Sequence, residues 1–184
     1  MSSIHVRKIV FAGVVAALYA TMTMVLSFIA YGPIQFRLAE ALCILPFFFP
    51  FTSIGLFVGC LIANLLSPYG IIDIIAGPIA TLIAALFTMS LGKVNRDAIA
   101  IKALACFPPV FFNALIIGTV IAWSTTSGGE AFWPVFAISG LQVGVGQLAV
   151  MYVVGLPLMV YLPKSKVYAI LFGQYSNITG SIIQ

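Results

Sequence analysis

Arg37 and Glu40 stand three residues apart in the stretch YGPIQFRLAEALCILPFFFPF, Tyr31 to Phe51. A carboxylate only accepts hydrogen bonds and a guanidinium only donates them, so the pair could form one half of a recognition site, Glu40 accepting from a ligand while Arg37 donates. The chain has four acidic residues in 184, and spending one of them between apolar neighbours is costly. On insertion scales an ionisable side chain at membrane depth costs about 2.5–3.5 kcal/mol, so it faces a partner or a cavity. Asn64, Asp73, Asn113 and Gln142 are further polar groups set in or beside apolar runs. A plainer account stands beside the functional one. At i,i+3 on a helix Arg37 and Glu40 can neutralise each other and only fix packing. Asp73 in a first helical turn suits the helix dipole, and single amides commonly bond helix to helix.

The elements that position these groups follow from composition. Hydrophobic residues make up 62% of the chain and charged residues 7%, with a mean hydropathy of +1.20. A soluble domain carries about a quarter charged residues, and a helix needs about 20 apolar residues to cross a bilayer. The expected fold is all-α, a polytopic membrane helical bundle forming a single domain over residues 1–184. The first apolar run, 9–30, follows Arg7 and Lys8 and is longer than the h-region of a signal peptide, so it is expected to remain as the first helix.

Charge distribution predicts the number of crossings. Arg7 and Lys8, then Lys93, Arg96 and Lys102, then Lys164 and Lys166 form three basic groups. All three can be cytoplasmic only if an even number of crossings separates them, so 36–66 must cross twice. Pro50 marks the break. The expected spans are 9–30, 36–50, 52–66, 71–91, 99–123 and 134–162: six helices with both termini inside, in the cell membrane. The polar groups then share the outer half of the bilayer, where one outward-facing pocket would gather them. Tyr31, Phe36, Phe112, Trp123 and Trp133 could wall that pocket, and the two tryptophans serve equally well as interfacial anchors. The external stretch STTSGGEAF, with Gly128, Gly129 and Glu130, suits either a moving cover or an ordinary loop.

Several function classes drop out. The chain contains no G-x-x-x-x-G-K-[ST] segment, and its only histidine is His5, so ATP hydrolysis and catalysis by assembled side chains are not expected. Cys43, Cys60 and Cys106 lie in apolar runs without ligand spacing, which predicts buried packing cysteines, no metal and no cofactor. The net charge of +4 follows the membrane asymmetry and implies no nucleic acid. No internal repeat is visible, which weakens the case for an inverted-repeat carrier. In AGVVAALYA, Ala12, Ala16 and Ala20 recur every four residues beside Gly13 and Ala17, leaving a smooth face for helix packing or for docking of a second protein.

The six-span pattern with this alanine stripe resembles the substrate-binding S components of energy-coupling factor (ECF) transporters. More specifically, AYGPIQFRLAEALCILPFF and GLFVGCLIANLLSPYGIIDIIAGPIATLIAAL resemble the QueT family of queuosine-precursor transporters. The resemblance implies a subunit that captures a deazaguanine (queuine, its aminomethyl precursor or queuosine) and reorients with an ECF transmembrane coupling subunit and two ATPase subunits. Ala12, Ala16 and Ala20 would dock onto the coupling subunit. Glu40 would accept from the guanine-like edge, with Arg37 holding Glu40 or donating to the ring carbonyl, and Asp73 would meet the ligand's amine. Gln35, Asn64 and Gln142 would be secondary contacts, with Tyr31 and Asn113 also in the site. Two rivals remain open: a self-sufficient proton-coupled carrier titrating Glu40 or Asp73, and a structural membrane subunit that binds no small molecule.

Overall fold

The computed structural model describes residues 3–165 apart from 33, 128 and 130, together with residue 168. All regular elements among the described residues are helical. They are α1 (Ser3–Val25), α2 (Leu38–Phe48), α3 (Thr52–Asn64), α4 (Gly70–Leu91), α5 (Ile99–Thr126) and α6 (Phe132–Lys164), with a single turn, Ser27–Ala30, after α1. α1, α4, α5 and α6 are long and apolar enough to cross a bilayer; α2 and α3 are apolar but shorter. This is a multi-pass helical membrane protein. Where the sequence predicts full spans over 36–50 and 52–66, the structure has two elements each about 20 Å long, against a hydrocarbon core of about 30 Å.

Proline accounts for the character of α2. Pro46 has no N–H to offer the carbonyl of Leu42, and that carbonyl instead takes the Leu45 N–H in a tighter 3-10 turn. Leu38–Ile44 is 3-10 throughout, and only Leu45–Phe48 is α-helical. Arg37, expected inside the helix of 36–50, instead precedes α2 with extended backbone, φ −87° and ψ 93°.

Side-chain pairings give the direction of each element. Tyr19 meets Glu40 and Phe11 meets Phe49, so α2 runs against α1. Gly55 lies on Ala12 and Gly59 on Ala16, so α3 runs with α1. Asn64 with Asp73 and Cys60 with Thr81 set α4 against α3; Gly118 with Gly140 and Ala114 with Gly144 set α6 against α5. Ile34 on Gly146 and Ile44 on Gly155 align α2 with α6. Consequently the last residues of α3 and the first of α2 and α4 meet at one end of the bundle.

Small residues permit the closest approach. A Cβ on Gly59 would lie 2.7 Å from the Ala16 carbonyl oxygen and 2.9 Å from Tyr19 Cβ. In the alanine stripe Ala16 and Ala20 are buried and Ala12 is half-buried, while Gly13 and Ala17 stay exposed. The stripe therefore packs against α3 along one edge and leaves the other open beside a shallow apolar groove that includes Ile9, Ile54 and Val58. The main core holds Tyr19, Ile44, Phe47, Phe48, Leu56 and Met151. Cys43, Cys60 and Cys106 are free and buried, as their apolar settings predict. Val150–Gly155 of α6 is a π-helical turn, a device often found near functional sites.

Candidate functional site

The loop leading into α2 delivers Arg37. Gln35 adopts a left-handed backbone, φ 49°, and its carbonyl accepts the Arg37 N–H at 2.8 Å. A left-handed non-glycine residue costs about 1–3 kcal/mol and persists where surrounding structure enforces it. Here the tight turn carries Arg37 into the bundle, where only 2% of it is exposed. Its Nη2 donates to Asp73 Oδ2 at 3.4 Å and its Nε to the Ala30 carbonyl at 3.4 Å. The guanidinium lies 5.0 Å from the centre of the Tyr31 ring, and the Tyr31 hydroxyl donates to the Ala63 carbonyl at 2.6 Å.

The local i,i+3 ion pair is therefore not made. Arg37 reaches instead across to α4, where Asp73 is fully buried in the first turn. Ser67 Oγ donates to Asp73 Oδ2 at 2.5 Å, and Asn64 Nδ2 donates to the Asp73 carbonyl at 2.9 Å. Gly77 makes room for that amide, since a Cβ there would collide with Asn64 Nδ2. Gly77→Ala is accordingly expected to break the Asn64–Asp73 contact and lower the midpoint of thermal unfolding in detergent; an unchanged midpoint would contradict the crowding.

Deeper in the bundle lies Glu40, also fully buried. Its Oε1 accepts from the Tyr19 hydroxyl at 2.5 Å and from Thr81 Oγ1 at 3.5 Å, and its Oε2 accepts from Cys43 Sγ at 3.1 Å. Thr81 Oγ1 also lies 3.4 Å from Cys60 Sγ, so its single proton serves one acceptor at a time. All of Glu40's partners are neutral. One formal positive charge, committed to Asp73, thus faces two formal negative charges within a single buried cluster.

Among the described residues several buried polar atoms find no partner: Gln35 Nε2, Asn64 Oδ1, Asp73 Oδ1, Asn113 Nδ2 and Gln147 Oε1. Each such group costs about 1–3 kcal/mol, and native proteins seldom carry many. Asn64 Oδ1 and Asp73 Oδ1 are acceptors from adjoining side chains; a ligand bearing N–H donors would satisfy both.

Of the residues singled out from sequence, Tyr31, Arg37, Asn64 and Asp73 come together directly, and Glu40 lies below them. Gln35 and Asn113 are buried with free amide nitrogens. Gln142 is only half-buried, and the buried amide of α6 is Gln147, about 140° further round the helix at 100° per residue. Phe112 packs against Phe87 at 5.1 Å. Trp123 and Trp133 are 52% and 73% exposed, so they lie on the outer surface of the bundle and do not wall the site. Gly128 and Glu130 of the expected cover lie outside the described residues; Ser127 ends α5 in a left-handed conformation. Tyr19, Ser67, Thr81 and Gln147 were not singled out from sequence. Their only signal was a polar atom inside or beside an apolar run.

A family model described as QueT transporter matches residues 9–164, from the second turn of α1 to the end of α6. The chain belongs to the QueT transporter family. Tyr19, Arg37, Glu40, Asp73, Thr81 and Gln147 all fall inside the matched QueT range. One relative, the Queuosine precursor transporter QueT of Lactococcus lactis subsp. cremoris (strain MG1363), is 46% identical over 77 residues. That match covers 41% of this chain and 45% of the relative, less than half of each. No solved structure matches.

Proposed function

We propose that this QueT-family chain is a substrate-binding membrane subunit for uptake of queuosine precursors or related deazaguanines, working as the S component of an ECF transporter. The observation that carries the reading is the pair of buried acceptors, Asp73 Oδ1 and Asn64 Oδ1, unpartnered beside a cluster with an excess of formal negative charge. A deazaguanine carrying an amine brings what this cluster lacks: adjacent N–H donors on the ring and a cation on the side chain.

Glu40 accepts from the ring edge. Its Oε2 is held only by Cys43, and a thiol is a weak donor that a ring N–H displaces. Arg37 has five N–H donors and spends two on Asp73 and Ala30, leaving others for the ring carbonyl. Asp73 takes the amine, with Asn64, Gln35, Tyr31 and Asn113 as further contacts. Gln142, half-buried, fits this role less well than it does in the sequence. The alternating directions of α1 to α6 support six crossings with both termini inside, the basic groups holding that orientation.

The chain has no G-x-x-x-x-G-K-[ST] loop, so on this reading ATP is hydrolysed by partner subunits. A transmembrane coupling subunit docks along the alanine stripe of α1, Ala12, Ala16 and Ala20, using its open edge, and two ATPase subunits drive reorientation. Uptake into vesicles tests the coupling. Substrate should enter only when the ECF module is co-reconstituted and supplied with ATP. Uptake by this chain alone that collapses with the proton gradient would instead establish a carrier titrating Glu40 or Asp73.

A further inference from the structure

Among the groups that meet at Glu40 is a tyrosine from α1, a helix otherwise engaged in packing through its alanine stripe. Tyr19 is fully buried, and its hydroxyl donates to Glu40 Oε1 at 2.5 Å. Its place is fixed from two sides. Gly59 brings α3 so near that a Cβ there would lie 2.9 Å from Tyr19 Cβ, and Thr23 Oγ1 donates to the Tyr19 carbonyl at 2.9 Å. A phenylalanine would fill the same volume with no polar atom to satisfy, so what the hydroxyl adds is its bond to Glu40.

The two carboxylate oxygens of Glu40 are held unequally. Oε1 takes hydroxyls from two other helices, Tyr19 of α1 and Thr81 of α4, while Oε2 takes the Cys43 thiol, a weak donor. The thiol reaches Oε2 because a 3-10 turn eclipses residues three apart, and Glu40 and Cys43 both lie in the 3-10 segment Leu38–Ile44. The two hydroxyls differ as well. Thr81 Oγ1 stands 3.5 Å from Oε1 and can turn its proton to Cys60 Sγ at 3.4 Å, whereas the Tyr19 hydroxyl is much closer. A ligand that brings N–H donors can therefore displace the thiol and Thr81 and leave Tyr19 in place. The torsion that swings a glutamate carboxylate is soft and roughly two-fold, so without an anchor neither oxygen keeps a fixed direction.

We infer that Tyr19 is a positioning residue for ligand recognition: by pinning Glu40 Oε1 it fixes the plane of the carboxylate, so that Oε2 is presented in one direction to the N–H donors of the ring edge. The inference rests on the proposed deazaguanine reading, in which Glu40 meets that edge, and deepens it by adding a side chain of α1 that acts on the ligand through Glu40. A carboxylate whose rotation is already arrested loses less freedom when the ligand arrives, and that saving appears as affinity. α1 thus takes part in recognition as well as in packing.

The test uses the whole purified chain, calorimetric titration with aminomethyl deazaguanine, and a thermal melt of each variant as the folding control. Tyr19→Phe should weaken binding by about tenfold or more, the scale of one hydrogen bond to a charged group. In the Glu40→Gln background, where no carboxylate is left to position, the same substitution should change binding by less than about threefold. A side chain that only fills space would weaken binding by the same factor in both backgrounds. Equal factors in the two backgrounds, or wild-type affinity in folded Tyr19→Phe, overturn the positioning role and leave the deazaguanine reading standing. Should Tyr19→Phe not fold, a ring-fluorinated tyrosine in place of Tyr19 preserves the shape. Saturating ligand should then shift its fluorine resonance in the otherwise wild-type chain and not in Glu40→Gln; an equal shift in both, or none in either, overturns the role. Absence of wild-type binding overturns the positioning role and the deazaguanine reading together.

Discussion

Arg37→Met is expected to cost about 3–5 kcal/mol of folding stability, among the largest effects of any single substitution in this chain. Asp73 would then keep Ser67 as its one neutral donor while fully buried, with no cation to offset its charge. The Tyr31 ring would lose its guanidinium and the Ala30 carbonyl its donor. Thermal or denaturant unfolding in detergent measures the loss. The double variant Arg37→Met with Asp73→Leu should recover part of it, because removing both charges avoids the lone buried one. If the double variant were less stable than the single by the full cost of Asp73→Leu measured alone, Arg37 and Asp73 would not be coupled and the pairing across α2 and α4 would be wrong.

Glu40→Gln should leave the fold in place yet weaken binding of an amine-bearing deazaguanine by about ten- to a hundredfold. The substituted amide keeps one oxygen for the Tyr19 hydroxyl but turns Oε2 into an NH2 group, which faces ring N–H donors as another donor. A hydrogen bond to a charged group contributes about 1.5–3 kcal/mol, which sets the size of the loss. Calorimetric affinity together with a melting curve separates the two effects. Wild-type affinity in a folded Glu40→Gln protein would remove the carboxylate from the ligand edge.

The membrane class and the presence of charges within apolar runs were legible in the sequence, because hydropathy and intramembrane charge are properties of composition and position. The partner of Arg37 was not. Glu40 is three residues away and Asp73 thirty-six, and only the extended backbone at Arg37, with the left-handed turn at Gln35, directs the guanidinium to the distant carboxylate. Positive φ at a glutamine leaves no mark in a hydropathy profile. Pro50 signalled a break, but nothing signalled that the residues before Pro46 would wind as 3-10. Gln147 escaped notice for a rotational reason: Gln142 and Gln147 read alike in an apolar run, and the face each presents is decided by α5 and by the loop at Ile34. The alanine stripe was legible as a smooth face. That one edge of it belongs to α3 depended on Gly55 and Gly59, which only the parallel arrangement of α1 and α3 brings opposite.

Substrate capture is tested most directly by calorimetric titration of the purified chain, without partner proteins, with queuine, its aminomethyl precursor and queuosine, using guanine as the control. One-to-one binding of at least one of the three, tighter than guanine, is the result expected of a substrate-capturing subunit whose buried acceptors await donors. No binding of any of them by protein shown to be folded would contradict it, and Arg37, Glu40 and Asp73 would then be groups that hold helices together and nothing more.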